Sequence, residues 1–187
     1  MRCFIAIYPD ADLLTALQGI RRELAERPQA RKLRWIRANQ LHLTLCFLGE
    51  FSDALLGPMT ARLQESISGL APFEVPLGGV APFPRPDSAL LAACFTHTTA
   101  LAELHGTVCR VLDTMEVDYD RKPLLPHITL ARAPRRGGRC DLSGLRMQCE
   151  KDTPPLRVER IAVVRSVPVE GGMHHETVAT VALVGKN

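Results

Sequence analysis

No run of about 18 apolar residues occurs in this chain, so no segment has the length to cross a bilayer as a helix. The six cysteines (Cys3, Cys46, Cys94, Cys109, Cys140 and Cys149) form no C-x-x-C pair and no zinc-like spacing. That argues against a redox couple or a zinc module written into local sequence. Several lie in apolar runs, where a free thiol behaves as a small hydrophobe. An excess of charge of one sign is lacking too: 23 Lys and Arg stand against 20 Asp and Glu, a net +3. So small an excess does not argue nucleic-acid binding from global electrostatics. The opening "MRCFIAIYPD" reads as a short strand ended by Pro9 rather than as a signal peptide. A reducing cytoplasm is the expected compartment.

What is present is an ordinary globular composition, 46% hydrophobic and 23% charged over 187 residues. That length suits one domain, 1–187, or two small, intimately packed lobes. Monomer is the expected state, since no exposed heptad is readable. Residues 11 to 27 place Leu13, Leu14, Leu17, Ile20 and Leu24 at helical spacing. "KLRWI" and "QLHLTLCFL" read as strands across the turn "RANQ". Ser52 is a candidate cap for a helix over "DALLGPMTARLQESI", with Gly57-Pro58 disturbing its first turns. "FEVPLGGV" and "ALLAACFT" read as strands around a Pro-rich loop, and "TTALAELHGTVCRVLDTM" as a second amphipathic helix after that of residues 11 to 27. "PHITLARAP" (126 to 134), "LRVERIAVVRSVPV" and "ETVATVALV" complete the β content. Helices mixed with largely antiparallel strands predict an α+β fold.

Two of these strands carry an unusual pattern. In "LHLTLCFLGE" (41 to 50), His42 and Thr44 share one face while Leu43 and Leu45 take the other, because side chains alternate with period two. In "PHITLARAP", His127 and Thr129 repeat the arrangement against Ile128 and Leu130. A lone H-x-T in a strand is ordinary hydrogen-bonded structure. Two copies, each near a basic cluster ("RKLRWIR", 31 to 37, and "RAPRRGGR", 132 to 139), point to a shared space holding two imidazoles and two hydroxyls. Imidazoles that titrate near neutrality serve as acid and base. Hydroxyls donate to anionic oxygens, and Arg132 adds a cation suited to phosphate. These groups are the kit for displacement at a phosphorus centre, with no metal and no other cofactor called for. His97 and His105 fit bland structural roles, and Trp35 either stacks a base or packs behind the His42 strand.

At these residues the chain resembles the 2H phosphoesterase superfamily, and within it the RNA 2′,3′-cyclic phosphodiesterase family, historically called 2′-5′ RNA ligases. "CFIAI", "RWIRANQLHLTLCFLGE", "GVAPFPRPDSALLAA", "RKPLLPHITLAR" and "IAVVRSVP" stand in the family's order. The resemblance implies a bilobal α+β fold, two pseudo-twofold-related and mostly antiparallel sheets flanked by helices around a central cleft. It implies RNA 3′ ends bearing a 2′,3′-cyclic phosphate as partners, opened to a 2′-phosphomonoester without metal, with 2′-5′ ligation as the reverse. His42 would be the proton donor and His127 the proton acceptor. Thr44, Thr129 and Arg132 would bind the phosphate. Another small cyclic phosphate or nucleotide, or mere binding of terminal phosphates, are the alternatives. One departure stands near the last strand, where the family often has an aromatic and this chain has "GGMHHET". His174 and His175 there read as an exposed hairpin tip rather than a metal site.

Overall fold

The computed structural model describes residues 1–134, 141–150, 152–170 and 172–185. Arg135, Arg136 and Arg139 of the second basic cluster therefore lie outside the described residues. The elements run β1 (Arg2–Ile7), α1 (Ala11–Ala25), β2 (Arg34–Trp35), β3 (Leu43–Glu50), α2 (Leu56–Ile67), β4 (Phe73–Val75), β5 (Leu77–Phe83), β6 (Leu90–Phe95) and α3 (Thr99–Thr114). After them come β7 (His127–Arg132), β8 (Met147–Gln148), β9 (Leu156–Val158), β10 (Arg160–Val169) and β11 (Gly172–Ala182). The fold is α+β with antiparallel sheets, as the sequence predicts.

Eight strands follow one another in the order β11-β10-β1-β3-β7-β6-β5-β8, with β2 beside β7, and β4 pairs β9 in a separate ribbon. The order divides into two four-stranded halves that meet at β3 and β7. Their joint is narrow: among the described residues, Leu43 opposite Ile128 is the backbone partner pair of that seam. Each half is securely zipped within itself, β1 to β3 and β10 on one side, β6 to β5 and β7 on the other.

Helix periodicity explains how one face of this sheet is covered. α1 turns Leu13, Leu17 and Leu24 inward, α2 Met59, Leu63 and Ile67, and α3 Leu101, Leu104, Val108, Val111 and Leu112. These side chains join Leu43, Leu45, Ile128 and Leu130 in one core. Each such leucine contributes about 1.5–3 kcal/mol by leaving water. Asp10 caps α1 by accepting from the Leu13 amide at 2.9 Å, and Thr98 caps α3 by accepting from Leu101. Ser52 does not cap α2. It precedes a 3-10 turn over Asp53–Leu55, and α2 begins only at Leu56, because Pro58 fits the first turn of a helix and no deeper. The opposite face of the sheet carries a small cluster of Phe4, Ala6, Ala162 and Val164, with Tyr8 packed against it. The histidine face belongs to this side.

β11 starts earlier than its apolar run suggests and takes in Met173, His174 and His175, each paired with β10. Among the described residues, no helix is long and apolar enough to cross a membrane.

Candidate active site

The seam positions the two H-x-T segments. With Leu43 opposite Ile128, continuing the antiparallel register by one residue sets His42 across from Thr129 and Thr44 across from His127. Each imidazole thus faces the hydroxyl of the other half. The leucine-side residues are buried, Leu43 and Ile128 fully, while His42, Thr44, His127 and Thr129 are only partly covered. Small neighbours keep the hydroxyls accessible: Ala6 flanks Thr44 and Ala92 flanks Thr129.

The imidazoles are held in one and the same way. His42 Nδ1 lies 2.7 Å from the Gln40 carbonyl, and His127 Nδ1 lies 2.7 Å from the Leu125 carbonyl. A carbonyl only accepts, so each Nδ1 carries a proton and donates it. In the neutral ring Nε2 is then the free basic nitrogen, on both sides of the seam. Each ring also lies flat on a phenylalanine. His42 stacks on Phe4 with centroids 4.8 Å apart, and His127 on Phe83 at 3.9 Å. Gln40 is fixed in turn, its side-chain amide donating to the Met173 carbonyl at 2.5 Å. These contacts restrict both imidazoles to narrow orientations, as acid–base work requires.

Burial disfavours the charged form of both rings. Burial pushes His42 down to about 4, helped by the nearby His175, His127 and Arg132 and opposed by its bond to the Gln40 carbonyl. Burial lowers His127 as well, the Leu125 carbonyl opposes the shift, and Arg132 adds to it. Arg132 is therefore close enough to act on both histidines. Strict alternation would turn it away from them, five residues beyond His127. A break in the β6–β7 register between Leu91/Ala131 and Ala92/Thr129 corrects this. Leu130 and Ala131 both stay buried, and Arg132 returns to the histidine face. An equivalent break sits on β3, where Leu45 and Cys46 are both buried and Phe47 emerges 55% exposed. Phe47 and Arg132 thus occupy corresponding places, five positions after His42 and His127.

Sequence reading missed one member of the site. His174 is exposed, as expected of a hairpin tip, but His175 is not part of one. Its ring meets His42 edge-on at 5.1 Å and Phe4 at 5.1 Å. Its Nδ1 is buried without a hydrogen-bond partner, the one such side-chain atom among the described residues. The two adjacent side chains take opposite faces of β11, so one His lines the site while its neighbour is solvated. Tyr8 completes this wall, 6.0 Å from His42. Trp35 is half-buried against the main core beside β7, with the Arg21 guanidinium 5.6 Å over its ring, which leaves burial as its role.

The two halves thus bring paired, carbonyl-anchored histidines to the seam of one sheet. The model of the 2′-5′ RNA ligase superfamily matches residues 9–169, and the chain belongs to that superfamily. Two relatives are each named RNA 2′,3′-cyclic phosphodiesterase. One, from Geobacillus stearothermophilus, is 29% identical over 52% of this chain and 32% of its own length. The other, from Aeropyrum pernix, is 29% identical over 54% of this chain and 57% of its own. The matched region thus spans about a third to just over half of those relatives. The crystal structure of TT0787 from Thermus thermophilus covers 100% of both chains at 24% identity with a TM-score of 0.82, which establishes the shared fold.

Proposed function

We propose that this protein opens 2′,3′-cyclic phosphates at RNA 3′ ends to 2′-phosphomonoesters, the two halves acting as lobes of one catalytic unit. The observation that carries the reading is the duplicated imidazole: same tautomer, same anchoring distance, same aromatic backing, one on each side of the seam. A group that only gripped phosphate would be better served by arginine than by two rings able to exchange protons. The names of the two relatives agree with this chemistry.

The steps follow from the free Nε2 atoms. His127 accepts a proton from water as its oxygen attacks phosphorus. His42 gives a proton to O3′ as the P–O3′ bond breaks, leaving a 3′-hydroxyl and a 2′-phosphate. Thr44 and Thr129 donate to the non-bridging oxygens, and Arg132 balances the charge that grows on them. His42 needs its extra proton for this role, yet burial pushes it down to about 4 and so favours the neutral ring at pH 7. A bound phosphodiester supplies the missing counter-charge beside it and favours the imidazolium. With the 5′-hydroxyl of a second RNA end in place of the attacking water, His127 would take that hydroxyl's proton while His42 protonates O3′, and the P–O5′ bond formed as P–O3′ breaks would be a 2′-5′ linkage.

The test is turnover of a short oligoribonucleotide ending in a 2′,3′-cyclic phosphate, in excess chelator. The expected product carries a 2′-phosphate. Binding of this end without opening removes the enzymatic reading. Opening of a free cyclic mononucleotide in preference to the oligonucleotide moves the substrate away from RNA ends.

A further inference from the structure

The same break in β3 that brings Phe47 to the histidine face sends Cys46 the other way, into the core between β3 and α3. There it meets two residues one helical turn apart on α3, His105 and Cys109. Cys46 Sγ lies 3.9 Å from Cys109 Sγ, and Cys109 Sγ lies 3.5 Å from His105 Nε2. The three donor atoms all fall within 4.8 Å of one another. A tetrahedral zinc with bonds of about 2.3 Å to sulfur and about 2.0–2.1 Å to nitrogen separates two sulfurs by about 3.8 Å and a sulfur from a nitrogen by about 3.6 Å. The two shorter edges of the cluster match that triangle closely.

We infer that Cys46, His105 and Cys109 form a binding site for one thiophilic divalent cation of the zinc type, on the core side of the strand that carries His42 and Thr44. The donor set, two sulfurs and one imidazole nitrogen, is the set such cations select. A disulfide between Cys46 and Cys109 would leave the converging imidazole without a purpose. His105 and Cys109 are half-buried, so the cation can enter from the α3 surface, and a water completes the fourth position. On binding, each thiol gives up its proton and forms a sulfur–metal bond, while His105 binds through neutral Nε2, so two protons leave per cation. The metal clamps β3 to α3 and holds the β3 break in place. It takes no part in the histidine chemistry across the sheet, and this inference stands apart from the proposed function.

Metal-stripped, reduced protein titrated with Co²⁺ tests the site. One equivalent is expected to produce a thiolate-to-cobalt charge-transfer band, with release of two protons and displacement by Zn²⁺. Tm should rise with Zn²⁺. His105→Ala and Cys109→Ala, both at half-exposed positions that tolerate truncation, should lose the band and the Zn²⁺-dependent rise in Tm while keeping a cooperative melt. Cys94→Ser should retain both. No band, or a band that survives in both α3 variants, would overturn the inference. Phosphodiesterase turnover in chelator reads the histidine chemistry alone, so the two ideas fail separately.

Discussion

His42 and His127 look interchangeable in sequence, and their surroundings make them unequal. His42 sits deeper, faces three rings (Phe4, Tyr8 and His175) and is pushed to about 4. His127 stacks on Phe83, its one aromatic neighbour among the described residues, and is pushed down by burial as well. Because kcat/KM reports the free enzyme, His42 in its proposed role as acid would act from a pKa well below neutrality. Its protonated fraction falls tenfold per pH unit above that value. We therefore expect kcat/KM to peak below pH 6.5 and to fall steadily through pH 6 to 8. The corresponding limb of kcat should lie at higher pH, because bound phosphate stabilises the imidazolium. A kcat/KM that stays level from pH 6 to 8 would rule out His42 as the acid. His175 shows where residue-level reading stops. Adjacent histidines on a strand must take opposite faces, but which one turns toward His42 depends on the β10–β11 register, with Ser166 opposite His175. Nothing local in "GGMHHET" states that register.

The strands β3 and β7 are legible because their apolar face is continuous: Leu43 and Leu45 in one, Ile128 and Leu130 in the other. What the period cannot show is where it breaks. One extra residue in each strand, after Thr44 and after Thr129, returns Phe47 and Arg132 to the histidine side. Arg132 stands out for its chemistry although strict alternation points it the wrong way, and the irregular pairing reconciles the two. The same irregularity sets Cys46 beside α3, so the Cys46–His105–Cys109 cluster is invisible to any spacing rule: its members come from a strand and a helix far apart in the chain. Phe47 offers a test of this level. It is 55% exposed and 6.1 Å from Phe4, on the histidine face. Stacking on an aromatic is worth about 1–3 kcal/mol per base. By that measure, Phe47→Ala should raise KM for the oligonucleotide by about 5- to 150-fold with kcat little changed, as measured by full saturation curves. An unchanged KM would place the base elsewhere.

Across the whole molecule, the two halves share a plan without sharing much sequence. Each is a four-stranded antiparallel piece with one H-x-T strand at its inner edge, and helices cover the outer face of both. The pairing of the halves is foreseeable from the duplicated motif. Its form is not, since a single seam pair, Leu43 with Ile128, joins the halves into one sheet. That arrangement makes the site a product of the seam: neither half holds both an imidazole and the hydroxyl facing it. The chemistry should then be cooperative between halves. The most direct measurement is single-turnover opening of the cyclic phosphate by His42→Ala, His127→Ala and the double variant, beside the wild type. Each single change should lower the rate by about 10²- to 10⁴-fold. The double variant should be little slower than the worse single, because groups that act as one unit are not additive. Independent, multiplying losses, or a single variant close to wild-type rate, would contradict a shared two-histidine mechanism.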